Sequence, residues 1–273
     1  MAFWEEIFIW LAVGMYSFSV ALFLMALIFK KERLHGIAFG LTAAGFAAHT
    51  AAIAVRWYVT GHMPAMHTYE NSLAGSWVII LTYLFIRYRF PPARPFAVAV
   101  TPLALLILGN GIMTGGELQP LEPAFRSGWL FVHVLFAWFA FGAYVCAFAA
   151  GSMYLVKGWS RRDFTARLPE FKLLDELSMR LILFGFFAHA VMTGSGAIWA
   201  HGLWGRYWGW DPVETWSLIT WLIYGANLHL RITMGWTGKR AAWLAVVSLV
   251  GIIFLFFGFG HGSSIHTQMF SNK

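Results

Sequence analysis

Residues 128–156 read GWLFVHVLFAWFAFGAYVCAFAAGSMYLV, a run without a single Asp, Glu, Lys or Arg. A bilayer core about 30 Å thick is crossed by roughly 20 apolar residues in a helix. A surface helix of a soluble protein would carry a polar face, and this stretch has none. It therefore reads as a membrane span, and the pattern repeats on either side. Further apolar stretches lie at about 7–29, 36–55, 72–88, 96–113, 179–199, 214–232 and 241–260. The whole chain is 59% hydrophobic and 11% charged, against roughly 25% charged for a soluble domain. These features predict an all-α polytopic membrane protein of about eight transmembrane helices, folded as one domain over 1–273. No internal repeat interrupts it.

The formal net charge of +7 would suit nucleic acid if it were concentrated on one face. It is instead distributed by loop. Fifteen of the nineteen Lys and Arg residues fall in alternate connections: 30–33, 87–94, 157–180 and 231–240. Arg56, Arg126, Arg206 and Lys273 are left for the other side. The positive-inside rule then places both termini outward, in a periplasm or lumen. The basic residues set topology, and no nucleic-acid partner is expected. The opening MAFWEE carries acidic residues and no positive n-region, so the first span reads as a retained helix rather than a signal peptide. The single cysteine, Cys146, lies within the fifth span. Without a second thiol the chain has no redox couple of its own.

Ten histidines are more informative. His49, His189 and His229 fall inside spans. His133 is just inside the start of the fifth, and His266 is near the C-terminus. His62, His67, His201 and His261 are placed in outer loops or at their edges, and His35 in an inner one. Ionisable groups within a bilayer are costly and mark partners or cavities. Any one such histidine is more simply a hydrogen-bonded packing residue, but three together point to a metal. Zinc fits poorly on the sequence, because there are no paired thiolates and the carboxylates do not cluster with the histidines. Imidazole in aromatic surroundings suits haem iron.

Residues 204–216, WGRYWGWDPVETW, hold Trp204, Tyr207, Trp208, Trp210 and Trp216. An aromatic belt explains one or two such residues at a helix end. Five around a glycine-spaced outer loop, drawn at about 199–216, suit a shelf for a flat apolar ring system. Arg206 could meet a carboxylate of that ligand. Asp211, Pro212 and Glu214 form a helix start, so Asp211 also has a purely structural reading as an N-cap.

The run WGRYWGWDPVETWSLITW with LHLR at 228–231 resembles the WWD motif of haem-handling membrane proteins, in the form found in the CcsA (ResC) family of System II cytochrome c biogenesis. HTAAIAVRWYVTGHMPAMHTYENS at 49–72, WLFVHVLFAWFAFGAY at 129–144 and GHGSSIHTQ at 260–268 are similar to further segments of that family. The resemblance implies a subunit of a cytochrome c haem lyase (holocytochrome c synthase). It delivers haem b to the outer face and presents it for covalent attachment to an apocytochrome c bearing C-x-x-C-H. It implies as partners a CcsB (ResB)-type membrane protein and a thiol-reducing thioredoxin-like protein, all in a bacterial plasma membrane or a thylakoid membrane. It assigns His133 and His266 to the outer haem iron, with His261 as the alternative terminal ligand. His49 and His229 match the intramembrane pair, although His229 lies only two residues before Arg231, which leaves His189 a candidate. Trp204, Arg206, Tyr207, Trp208, Trp210, Asp211 and Trp216 would hold and shield the haem. The sequence departs from the family in having Val213 where lysine is common. A b-type cytochrome moving electrons between haems or from quinol would also pair intramembrane histidines, but has no need of the tryptophan loop.

Overall fold

The computed structural model describes residues 1–64, 66–118, 121–159 and 163–253. They form eight α-helices: α1 (Phe3–Phe29), α2 (Glu32–Thr60), α3 (Thr68–Arg89), α4 (Ala97–Thr114), α5 (Gly128–Trp159), α6 (Phe171–Trp204), α7 (Pro212–Ile232) and α8 (Gly238–Ile253). No strand occurs among the described residues. Each expected span falls on one of these helices, the last only as far as Ile253. Among the described residues five segments are long and apolar enough to cross a membrane: α1, α2 from Arg33, α4 with the turn before it (Pro91–Thr114), α5 and α6. The chain is an all-helical membrane protein.

The chain divides into two compact units. One takes Met1–Glu122 with Val156–Glu170, the other Pro123–Leu155 with the residues from Phe171 onward. In the first, α1 lies along α2 by the use of small and hydroxyl side chains. A Cβ on Gly45 would come within 2.9 Å of the Tyr16 ring. Ser19 Oγ donates to Ala38 O at 2.9 Å and meets Thr42 Oγ1 at 2.5 Å. Between apolar helices the hydrophobic effect is weak, and close backbone approach with shared hydroxyls supplies the attraction. Gly111 of α4 does the same against Ser72 of α3. Ile9, Ala52, Tyr69, Leu73 and Leu108 fill the space between these four helices.

In the second unit Tyr144 of α5 stacks on Tyr224 of α7, centroids 3.5 Å apart and planes 7° from parallel. A Cβ on Gly185 of α6 would come within 2.5 Å of the same Tyr144 ring, so glycine admits it. At the far end of α7, Arg231 pairs with Asp175 of α6 at 3.0 Å, and Asp175 also accepts from the Gly238 amide at 3.2 Å. One carboxylate thus ties the end of α7 and the start of α8 to α6.

The first unit also contains a buried ionic network that the sequence did not announce. Arg56, at the end of α2, was counted above only as a stray outer charge. Its side chain is 1% exposed. Nε donates to Glu70 Oε1 at 3.1 Å, Nη1 lies 3.6 Å from Glu5 Oε1, and Nη1 and Nη2 donate to the carbonyls of Gly116 and Glu117 at 2.8 and 2.7 Å. Tyr69 OH donates to Glu5 at 2.8 Å. Ends of all four helices meet here. Burial pushes the Glu70 carboxyl up, but hydrogen bonds from His67, Arg56 and the Met66 amide more than reverse this and hold it below its ordinary value.

Candidate ligand-binding loop and its histidines

The tryptophan-rich segment is shorter as a loop than the 199–216 expected. α6 has no proline and runs through His201 and Gly202 to Trp204, and α7 begins at Pro212. Gly205 makes the exit turn at φ 70°. The start of α7 follows the sequence reading. Asp211 Oδ1 accepts from the Val213 amide at 2.9 Å, and Glu214 Oε2 reaches back to the amides of Asp211 (3.2 Å) and Gly209 (2.7 Å). Asp211 is therefore an N-cap, whatever else it does.

Between these anchors the aromatics are held in a fixed arrangement. Trp204 packs edge-on to Trp199, centroids 5.5 Å apart. Tyr207 stacks on His201, centroids 4.2 Å apart and planes 15° from parallel; the sequence had placed His201 in the loop, but it belongs to the last turn of α6. Trp208 and Trp210 stand at right angles with centroids 5.9 Å apart. The Trp208 indole N–H is buried with no hydrogen-bond partner among the described residues. Arg206 is exposed and folds back so that a Cβ on Gly209 would meet its guanidinium at 2.8 Å. Trp216 is half-buried on the first turns of α7.

Trp210 stands out. Its φ is +57°, a left-handed conformation that costs a non-glycine residue roughly 1–2 kcal/mol. Yet its side chain is 71% exposed, so little packing compensates. Tyr207 is 58% exposed. A bulky indole held in a strained conformation and presented to the outside is a feature that folding does not require.

His133 sits on α5 against α6. Its Nδ1 lies 2.8 Å from Met192 O. A carbonyl can only accept, so Nδ1 carries the proton and Nε2 is the basic nitrogen. Iron- and zinc-binding histidines are commonly fixed in this way. One turn on, a Cβ at Gly196 would lie 2.5 Å from the same Nδ1, so glycine there admits the ring. His189 is buried on α6, with Nε2 3.0 Å from Ser217 Oγ. His229 is exposed in the last turn of α7, near Thr233 Oγ1 at 3.4 Å. That helix ends at Ile232 and does not run further. His49, in the other unit, is fully buried. Its Nδ1 is 3.4 Å from Tyr16 OH, and its Nε2 has no hydrogen-bond partner among the described residues. His261 and His266 lie outside the described residues.

Comparison with known proteins decides the family. Residues 65–266 match the family described as "Cytochrome C assembly protein". Curated relatives named "Cytochrome c biogenesis protein CcsA" include one from Guillardia theta, 31% identical over 93% of both chains. Another, from Synechococcus sp., is 35% identical over 89% of this chain and 92% of its own length. The chain belongs to the CcsA family. Among solved structures, this CcsA-family chain is similar to one titled "Cytochrome c Heme Lyase CcmF", with a TM-score of 0.70 at 18% identity. That match covers 97% of this chain and 48% of the other, and it speaks to the fold alone.

The sequence reading missed one cluster. The carboxylates were held not to gather with the histidines, yet Glu70 lies with His62 and His67. His67 and Glu70 are one helical turn apart at the start of α3, but His62 lies before that helix, just after Gly61 ends α2 in a left-handed turn at φ 71°.

Proposed function

We propose that this CcsA-family protein carries haem to the outer face of the membrane and presents it for covalent attachment to apocytochrome c, acting with a CcsB-type membrane partner. The basic residues of the alternate loops place both termini and the tryptophan loop on that face, with eight helices crossing the bilayer. Haem is the cargo. His133 and His266 bind its iron from opposite sides, the loop aromatics cover the porphyrin, and Arg206 meets a propionate. His49 and His229 are, on the family resemblance, ligands within the membrane. A thioredoxin-like protein keeps the apocytochrome thiols reduced.

The observation that carries this reading is the His133 ring on α5, oriented by the Met192 carbonyl of α6, the helix that leads into the strained aromatic loop, so that Nε2 is the basic nitrogen. In the reaction each cysteine S–H adds across a vinyl C=C. A C–S bond forms at one vinyl carbon, the hydrogen goes to the other, and no atom is lost. The protein's contribution is positioning and exclusion of water.

Co-expression with a CcsB-type partner and a C-x-x-C-H reporter, in a host lacking its own attachment system, tests it. Haem that stays on the reporter through denaturing electrophoresis is the expected result; a reporter without haem would reject the reading. The strained tryptophan adds a second expectation. Trp210→Gly relieves the left-handed backbone, so the protein gains about 1 kcal/mol of stability while reporter haemylation falls. Thermal unfolding and the haem stain read the two effects separately.

A further inference from the structure

We infer that His62, His67 and Glu70 form a binding site for a divalent first-row metal ion of the zinc type, with an open fourth position. One donor atom from each residue lies within 4.8 Å of the other two. His62 Nδ1 faces Met63 O at 3.1 Å, which puts the ring proton on Nδ1 and makes Nε2 the ligating atom. That Nε2 is buried with no hydrogen-bond partner among the described residues. A basic nitrogen shut away from water without a donor calls for one, and a cation supplies it.

The other two ligands already stand at metal spacing. His67 Nδ1 and Glu70 Oε2 are 3.3 Å apart and share a hydrogen bond; a bound ion would take the place of that proton, with His67 keeping its proton on Nε2. Ligands about 2.0–2.1 Å from a tetrahedral zinc are themselves separated by about 3.3 Å. The His62 and His67 rings face the same volume, centroids 6.1 Å apart and tilted by 55°. Glu70 is held by groups a ligating carboxylate commonly has behind it. Arg56 Nε bonds Oε1, and the amides of Met66 (3.2 Å) and His67 (3.4 Å) reach Oε2. Charge agrees as well. Glu5 and Glu70 bring two negative charges to the network and Arg56 one positive, so a cation meets a net negative site. Two imidazoles and a carboxylate suit zinc and its neighbours, not calcium or magnesium. The position left over can take water or a donor atom from a partner.

Full-length protein carrying an affinity tag without histidine, in lipid nanodiscs, tests the site with zinc chloride and with cobalt chloride as a spectroscopic substitute. The expected result is one zinc per chain that survives desalting, and a cobalt absorption band of a four-coordinate nitrogen and oxygen site. His62→Ala and His67→Asn each weaken zinc at least about 100-fold. Glu70 is left intact, because its loss would also break the ion pair with Arg56. In wild type zinc raises the melting temperature, and in the two variants it does not. No zinc retained by the wild type, or variants that bind as tightly as it does, would overturn the assignment.

Discussion

Arg56→Met yields a protein that fails to accumulate, or that unfolds at a much lower temperature than wild type. Arg56 pairs with two buried carboxylates, Glu5 and Glu70, each 0% exposed. It also donates to two carbonyls beyond α4. Removing one partner of a buried ion pair leaves the other as an unpaired charge in a low dielectric, at a cost of about 3–5 kcal/mol. Here one substitution strips two acids and two carbonyls, so the upper end of that range applies. That is a large part of a domain's total stability. Yield and thermal melting in detergent measure it. The double variant Arg56→Met with Glu70→Gln should recover part of the loss, since of the two acids only Glu5 then remains charged without its arginine. The same network makes stability depend on pH. Glu70 titrates below its unfolded value in the folded chain, so its contribution is full above the unfolded carboxylate value of about 4.3 and is lost as the pH falls through the lower folded value.

The second large effect is on function. His133→Ala is expected to reduce reporter haemylation at least 100-fold, about the upper end of what loss of groups supporting a metal ligand brings, while leaving the fold intact, because the ring is only half-buried. Gly196→Ala sharpens the point. In a helix interior alanine is favoured over glycine by about 1 kcal/mol, so α6 itself gains from the change. The new Cβ, however, would stand 2.5 Å from His133 Nδ1, and the ring must leave the Met192 carbonyl. Haemylation is expected to fall about 10- to 100-fold in a protein that remains folded. Haem stain per unit of purified protein, with circular dichroism beside it, separates this from misfolding. A Gly196→Ala protein as active as wild type would show that the ring's orientation does not matter.

The helices were legible because a run of about 20 apolar residues fits a bilayer, as 128–156 does without one charged residue, and among the described residues five segments are long and apolar enough to cross one. The start of α7 was legible for a local reason: Asp211, Pro212 and Glu214 satisfy the exposed amides of one helix turn, within four residues. The Arg56 network was not. Its partners lie 14 residues away in Glu70, 51 in Glu5 and about 60 in the loop after α4, and nothing in the local pattern of any of them marks the others. Glu5 was read only as an acidic flank that argued against a signal peptide. His62, His67 and Glu70 escaped for a related reason, since His62 lies in the connection between α2 and α3 and only His67 and Glu70 share a helix turn. His201 fell within the loop drawn at about 199–216, yet α6 has no proline and runs through Gly202 to Trp204.

The proposed function requires haem to lie against the tryptophan loop with its iron on His133. A density map of the haem-loaded protein together with its CcsB-type partner addresses this most directly. It should show a flat tetrapyrrole against Trp208, Trp210 and Trp216, with density joining the iron to His133 Nε2 and to a second imidazole opposite. A loop that is empty or covered by lipid in a preparation replete with haem, with His133 bound to nothing but the Met192 carbonyl, would contradict it.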